Sequence, residues 1–321
     1  FTSPGRWYLL ILCALTYSYL ATALFICFIF LALLRSFWAI PSLLILLFTS
    51  GSIQRQIGLN FQRLVPEDSL SYKMMTFNTK DDFRYRDKDQ KEAFVSDYLK
   101  DVPDILVMQE VSETTVRNLK TRMEYPHDQY QETPNPANGL AIFSKFPLKR
   151  GKALRNDKRD LIAFTCDVTL PSGTIRLINM HLHTNAVTLR VSRFSPESIS
   201  RREGLRSLQK MIRSYRNTAH KRMKELMIIR GEADASPYPV IIAGDVNDIP
   251  LSPVYRKLKA EMTDTFVKGG LGFAQTYNES FLALKIDHIF VDPDFKVIKS
   301  KIKRIRYSDH NPVSTIFTLA D

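Results

Sequence analysis

The chain has 321 residues, 45% of them hydrophobic, three cysteines and a formal net charge of +12. That length suits one large domain or two small ones, and no internal repeat or low-complexity segment breaks it. Cys13, Cys27 and Cys166 form neither a disulfide framework nor a zinc pattern, which excludes the small stapled scaffolds and leaves packing as the role of each.

Taken in chain order, the first feature is apolar. The run from Tyr8 to Leu34 carries no charged side chain, and it exceeds the roughly 20 residues a helix needs to cross a bilayer. A second run, Phe37 to Phe48, follows after Arg35 and Ser36; it contains Pro41 and is short for a full span, which suits a tilted or re-entrant helix. The apolar core of a cleavable leader is shorter, about 7–15 residues. The expectation is a membrane anchor over residues 1–53 with one or two transmembrane helices, a linker over 54–70 and a soluble domain over 71–321. Arg6, Arg35, Arg55 and Arg63 are too sparse to fix the side of the membrane on which that domain lies.

The soluble part alternates strands and helices. Met74–Asn78 and Ile105–Gln109 predict strands. Asp89–Lys100, with Phe94, Val95, Tyr98 and Leu99 at helical spacing, predicts an amphipathic helix, and Thr114–Met123 a second. Gly139–Ser144 is a strand closed by Phe146-Pro147. Leu161–Leu170 and Thr174–Met180 form a hairpin about the turn Pro171-Ser172-Gly173. Between Arg190 and Arg230, twelve basic residues stand against Glu197, Glu203 and Glu225, with Leu205, Leu208, Ile212, Tyr215, Ala219 and Leu226 mostly at three- and four-residue steps. This predicts a helix with a basic outer face, suited to nucleic-acid phosphate or anionic lipid, or to solvent alone. Strand Val240–Ala243, helix Pro253–Met262 and strands Ile286–Val291 and Val313–Leu319 complete the series. The mixed order with local hairpins predicts two packed sheets flanked by helices.

Short polar motifs sit where the apolar runs stop: Asn78, Gln109-Glu110, Asn179-Met180-His181-Leu182, Gly244-Asp245-Val246-Asn247, Asp287-His288 and Ser308-Asp309-His310-Asn311-Pro312. These are poor strand formers, and strand ends can converge on one rim. Glu110 closes an almost wholly apolar strand, where a carboxylate is costly unless it meets a cation or a donor. Alternation puts Asp245 and Asn247 on one side of an extended chain. Carboxylates and amides suit a hard divalent cation, and histidines suit proton transfer or a phosphate oxyanion. The glycine-rich stretch 269–278 lies between Asp264 and Asp287 and is expected at the mouth of such a site.

In wording and order these six motifs resemble the endonuclease/exonuclease/phosphatase superfamily, over a stretch from about Ser71 to the C-terminus. Together with the apolar N-terminus, the chain is similar to a membrane-anchored, bacterial-type member. The resemblance implies a four-layer α/β sandwich, two mixed sheets face to face with helices outside, preceded here by transmembrane helices. It implies Mg2+ or Mn2+ held by Asn78, Glu110 and Asp309. It implies His181, Asp245, Asp287 and His310 as catalytic residues, with Asn247, His181 and His310 on phosphate. Asp245 would prepare the attacking water, Asp287 would orient His310, and His181 would protonate the leaving oxygen. Val246 replaces the usual aromatic residue, Asp287-His288 replaces the common Asp-Tyr, and His288 is expected to pack. His181 leads away from the abasic-site enzymes.

The implied activity is metal-dependent phosphoester hydrolysis, phosphodiesterase- or nuclease-like, with a phosphoester substrate and the membrane as partners and no obligate protein partner. The alternatives are a phospholipid-headgroup or inositol-phosphate hydrolase of the same fold, or a non-catalytic, membrane-tethered nucleic-acid-binding module.

Overall fold

Val240–Asp245 is buried at every residue, and Ile105–Val111 at all but one. Strands so uniformly apolar need cover on both faces, which only the middle of a layered fold supplies. The computed structural model describes residues 4–60, 70–85, 89–149, 151–184, 201–279 and 284–319, without the side chains of residues 4–15, Ser18 and residues 201–212.

The elements run α1 (Pro4–Leu33), α2 (Ala39–Gln54), β1 (Ile57–Leu59), β2 (Tyr72–Asn78), α3 (Lys91–Tyr98), β3 (Ile105–Val111), α4 (Glu113–Arg122), β4 (His127–Gln131), β5 (Gly139–Ser144), β6 (Lys152–Arg155), β7 (Leu161–Leu170) and β8 (Gly173–His181). They continue with α5 (Arg201–Asp234), β9 (Val240–Asp245), α6 (Pro253–Glu261), β10 (Thr263–Asp264), α7 (Thr265–Gly269), β11 (Leu271–Phe273), β12 (Asp287–Val291), β13 (Phe295–Ile302) and β14 (Val313–Leu319). Ser112 and Ser252 cap α4 and α6 by accepting from the amides of Thr115 and Tyr255, which satisfies donors a helix start leaves free.

Two six-stranded mixed sheets result, ordered β10-β12-β9-β8-β7-β6 and β13-β14-β2-β3-β5-β4. Their facing sides share one apolar core that includes Ile105, Val107, Ile142, Leu177, Ile241, Ile289 and Phe317. A second core, with Leu226, Ile229, Val254 and Leu258, packs α5 and α6 on the outside of the first sheet. A third, with Phe94, Val95, Val116 and Leu119, packs α3 and α4 on the outside of the other. Helices, sheet, sheet and helices make the α/β sandwich expected. Each sheet holds one parallel pair, β2–β3 and β8–β9, and all four of these strands end on the same rim.

Besides the short β1, β10 and β11, the structure adds β4, β6 and β13 to the predicted strands. Each has an exposed or half-buried edge and carries charged residues, so apolar periodicity marks it weakly. It also corrects two expectations and adds a strand to the stretch expected as linker. The stretch expected as linker contributes β1, which pairs antiparallel with β11, and Arg55 lies 5.8 Å over the Tyr255 ring. Cys166 is buried, but Cys27 is exposed. Arg222 and Arg230, expected on the basic outer face of α5, are buried on its inner side, while Arg213, Arg216, Lys221 and Lys224 are exposed. Residues 190–200 of the basic stretch lie outside the described residues.

The N-terminal apolar runs form helices α1 and α2, and the Tyr17 hydroxyl donates to the Thr49 carbonyl at 3.0 Å. Among the described residues no helix is long and apolar enough to cross a membrane, so the expected transmembrane helix is not found there. Much of the expected span, residues 8–15 and Ser18, falls among the side chains outside that description.

Candidate active site

Strand register builds the rim. In the first sheet β9 lies between β8 and β12, with His181 opposite Asp245 and Asp245 opposite Asp287, so three polar side chains stand in one row. The row needs Gly244: its φ is +136°, and a Cβ there would lie 2.0 Å from the Met180 carbonyl oxygen. In the other sheet the β3–β5 register slips between Gln109 and Val111, leaving Glu110 as a bulge residue at φ 55°. Such a bulge re-aims one side chain. Here it turns the Glu110 carboxylate toward the opposite sheet, and the Asp81 amide donates to its Oε2 at 3.0 Å.

Asn78 joins the halves. Its Nδ2 donates to Glu110 Oε1 and to Asp245 Oδ2, both at 3.1 Å. Below, Gln109 Nε2 donates to Asn179 Oδ1 at 2.8 Å, and Asn179 donates to the carbonyls of Met108 and Ala141. This buried amide strut fixes the distance between the sheets under the site. His310 Nδ1 lies 2.9 and 3.1 Å from the two Asp287 carboxylate oxygens, while its Nε2 is 3.9 Å from both Asp245 and Asp309. His181 Nε2 is 3.7 Å from Glu110 and 3.9 Å from Asp245, with no hydrogen-bond partner among the described residues. The Asn247 backbone, at φ 53°, turns back so that its amide donates to Asp245 Oδ1 at 2.7 Å and its side chain to the Leu182 carbonyl at 2.9 Å. The structure thus brings Asn78, Glu110, His181, Asp245, Asn247, Asp287, Asp309 and His310 to one rim.

Charge is unbalanced there. Asp245, Asp287 and Asp309 are each 1% exposed. Burial and then the neighbouring Asp287 carboxylate push Asp245 up to about 6. Burial, with Glu110 adding to it, also raises Asp309. Burial opposes ionisation of Glu110 too, but His181 and Lys80 outweigh it and hold that carboxyl below its usual range. Burial would discharge His310; the carboxylates of Asp287, Asp309 and Asp245 overcome it and keep the imidazole charged well above its usual pH.

A hard divalent cation fits this donor set. Asp309 Oδ1 is buried without a hydrogen-bond partner among the described residues, and like charges crowd around it. Asp245, Asp287 and His310 also place ligand atoms within 4.8 Å of one another. Of these, His310 is already engaged by Asp287 and held charged, so the Glu110–Asp309 side suits a cation better.

Sequence reasoning missed Lys80, and it gave no role to Tyr277 or Ser308, although both stood within stretches it singled out. Lys80 Nζ is 3.8 Å from Asp309, and Tyr277 meets the His310 ring edge-on at 5.4 Å. Ser308 donates to the Asn78 carbonyl and accepts from the His310 amide. It also missed a clamp from α5. Arg222 and Asp248 pair at 3.0 Å with both side chains fully buried, and the Tyr215 hydroxyl donates to Asp248 at 2.7 Å. Glu225 accepts from the His183 amide at 2.9 Å. One helix face thereby holds the chain just after Asn247 and just after His181. An Asp directly following the Asn247 motif was the one available signal. The expected packing role of His288 is met: it is fully buried against Phe290 and Tyr255, and its Nδ1 faces Asp264.

Solved structures share this fold. A functionally unknown conserved protein from Enterococcus faecalis is 18% identical, with a TM-score of 0.57 over 77% of this chain and 99% of its own. The 3'-5' exonuclease of Neisseria meningitidis is 20% identical, with a TM-score of 0.54 over 77% and 99%. The human Nocturnin catalytic domain, solved with a bound sulfate anion, is 17% identical, with a TM-score of 0.56 over 78% and 94%. No curated protein matches the chain. The model of the Endonuclease/Exonuclease/phosphatase family matches residues 75–310, more than half of the chain, and the chain belongs to that family.

Proposed function

We propose that the chain is a divalent-metal-dependent phosphoester hydrolase acting on phosphodiesters, nuclease-like in its chemistry. Members of the family are typically metal-dependent phosphoesterases. The observation that carries the reading is the row His181–Asp245–Asp287 facing Glu110 and Asp309, with more buried carboxylate than its cationic side chains balance. Glu110 and Asp309, with Asn78 beside them, would hold Mg2+ or Mn2+. When bound, the cation supplies Lewis-acid polarisation of the phosphoryl oxygen and charge for the leaving oxyanion.

Asp245, raised toward neutrality, accepts the proton of the attacking water. Asp287 fixes the His310 ring and keeps it charged, so Nε2 meets a phosphate oxygen. His181 Nε2, without a hydrogen-bond partner among the described residues, donates to the leaving oxygen, and Asn247 holds the phosphate from the facing turn.

The N-terminal hairpin is proposed to lie in or on lipid. Leu43, Leu44, Ile45, Leu47 and Phe48 of α2 are all exposed, and a helix apolar on so many sides suits hydrocarbon better than water.

The test is a panel of plasmid DNA, single-stranded RNA, sphingomyelin and inositol polyphosphates, offered to the full chain in detergent with Mg2+, Mn2+ or EDTA. Metal-dependent cleavage of the nucleic acids, absent in Glu110→Ala, is expected. Cleavage of sphingomyelin or inositol polyphosphates alone would move the substrate to the lipid or headgroup class. Nucleic-acid binding with no hydrolysis of any substrate would replace the enzyme by a binding module.

A further inference from the structure

Beside the rim lies a pocket lined by Gln275, Asn278, Arg304, Ile305 and Arg306. It combines two segments distant in sequence, the glycine-rich loop after β11 and the exit of β13. What joins them is Asn311, 1% exposed and directly after His310. Its Nδ2 donates to the Gln275 carbonyl at 2.9 Å and to Asn278 Oδ1 at 2.7 Å. Its Oδ1 accepts from Asn278 Nδ2 at 2.9 Å and from the Ile305 amide at 3.0 Å. The Asn278 amide donates to the Asp309 carbonyl at 2.7 Å. The pocket walls are therefore built onto the same turn that presents Asp309 and His310, and they cannot shift without moving it.

The chemistry of the pocket is cationic. Arg304 and Arg306 are exposed, and among the described residues neither is ion-paired with a carboxylate. Lys303, by contrast, is used in packing: it pairs with Asp97 at 2.9 Å and lies over the Tyr98 ring. Arg304 Nη2 donates to Gln275 Oε1 at 3.4 Å, which turns one guanidinium along the pocket wall. Glu279 is the nearest acidic neighbour in sequence, and its field acts on Lys80 and Asp309. Guanidinium groups on a fixed backbone match a phosphate.

We propose that this pocket is a second phosphate subsite, in which Arg304 and Arg306 hold a phosphate flanking the one hydrolysed. It rests on the hydrolase reading above and narrows it to substrates that carry more than one phosphate. A nucleic-acid strand and an inositol polyphosphate share that chemistry, so the test includes both. Recognition is through phosphate, without base contacts, and carries no sequence preference.

The experiment compares the full chain with the double variant Arg304→Gln/Arg306→Gln on three substrates: bis(p-nitrophenyl) phosphate, a single-stranded oligonucleotide and an inositol polyphosphate. The expected result is unchanged turnover of the single phosphodiester. On one of the two polyphosphate substrates kcat/KM should fall about 10- to 100-fold, through KM, with a log–log salt slope shallower by about one to two. The substrate that shows this discrimination is the source of the phosphate. Equal loss on all three, or loss on none, overturns the subsite while leaving the hydrolase. If the parent cleaves nothing, the hydrolase reading fails by itself. Binding of the same oligonucleotide and inositol polyphosphate in EDTA then decides the subsite, which survives only if the double variant binds one of them more weakly and with the shallower slope.

Discussion

Two buried clusters in this protein use the same residue types and do different work. At the rim, Asp245, Asp287, Asp309 and Glu110 meet His181, His310 and Lys80, and the carboxylates crowd one another. At the sheet edge, Asp264 stands alone against Lys285 at 2.6 Å, His288 at 3.2 Å and the Tyr255 hydroxyl at 2.8 Å, and also caps α7. Burial would raise the Asp264 carboxyl, but Lys285 and His288 overwhelm that and hold it far below its usual range. A carboxylate so surrounded has nothing left to bind. The rim, short of positive charge, does. Asp287 and His288 are adjacent in sequence, yet strand alternation sends one to each cluster.

The contrast is broken most directly at the rim. Glu110→Ala or Asp245→Ala is expected to lower turnover by about a thousandfold or more with the fold retained, as read by steady-state kinetics beside circular dichroism. Near-full activity in both variants would remove the site assignment. In the paired regions the same kind of change costs stability instead. Arg222→Met leaves Asp248 buried without its counter-charge, with only the Tyr215 hydroxyl and the Ile249 amide still donating to it, so chemical denaturation should show a loss of about 3–5 kcal/mol, largely recovered when Asp248→Leu removes the orphaned charge. An unrecovered double variant would mean that packing, and not charge, is what Arg222 supplies.

Adding cation sharpens the comparison. Mg2+ or Mn2+ at about a hundred times its dissociation constant should stabilise the fold by about 2.7 kcal/mol. That shift in the melting curve should vanish in Glu110→Ala and persist in Asp264→Asn. A shift in the reverse pattern would place the cation at the wrong cluster.

The smallest effect is in the pH dependence. Asp264 titrates below its unfolded value, so its contribution is present above about pH 4, where the unfolded carboxyl is ionised, and is lost as pH falls toward the lower folded value. Asp264→Asn should be less stable at neutral pH and flatter on the acid limb. Asp245 has the opposite sign. Raised to about 6, it favours the fold below its unfolded value and loses that contribution as pH rises through 6. Asp287→Asn should bring the Asp245 titration down, since the Asp287 charge is the second cause of the rise after burial; carboxyl NMR in metal-free protein reads it directly.

The sequence by itself determined much of this protein. Apolar runs such as Val240–Ala243 fold as covered strands, so two packed sheets were legible from order and spacing, while the resemblance carried by the polar motifs at the strand ends implied that Asn78, Glu110, Asp245 and His310 share one site. Edge strands β4 and β6 were not, because their charged, half-exposed residues carry no clear period. Tertiary structure alone decided which polar residues are spare and which are spent. Arg222 looks like its basic neighbours in sequence, and only the packing of α5 against the turn after Asn247 buries it. The bulge at Glu110 and the row through Asp245 depend on register between strands far apart in the chain. Whether a carboxylate is left wanting a cation depends on the sum of charges around it, and that sum exists only once the chain has folded.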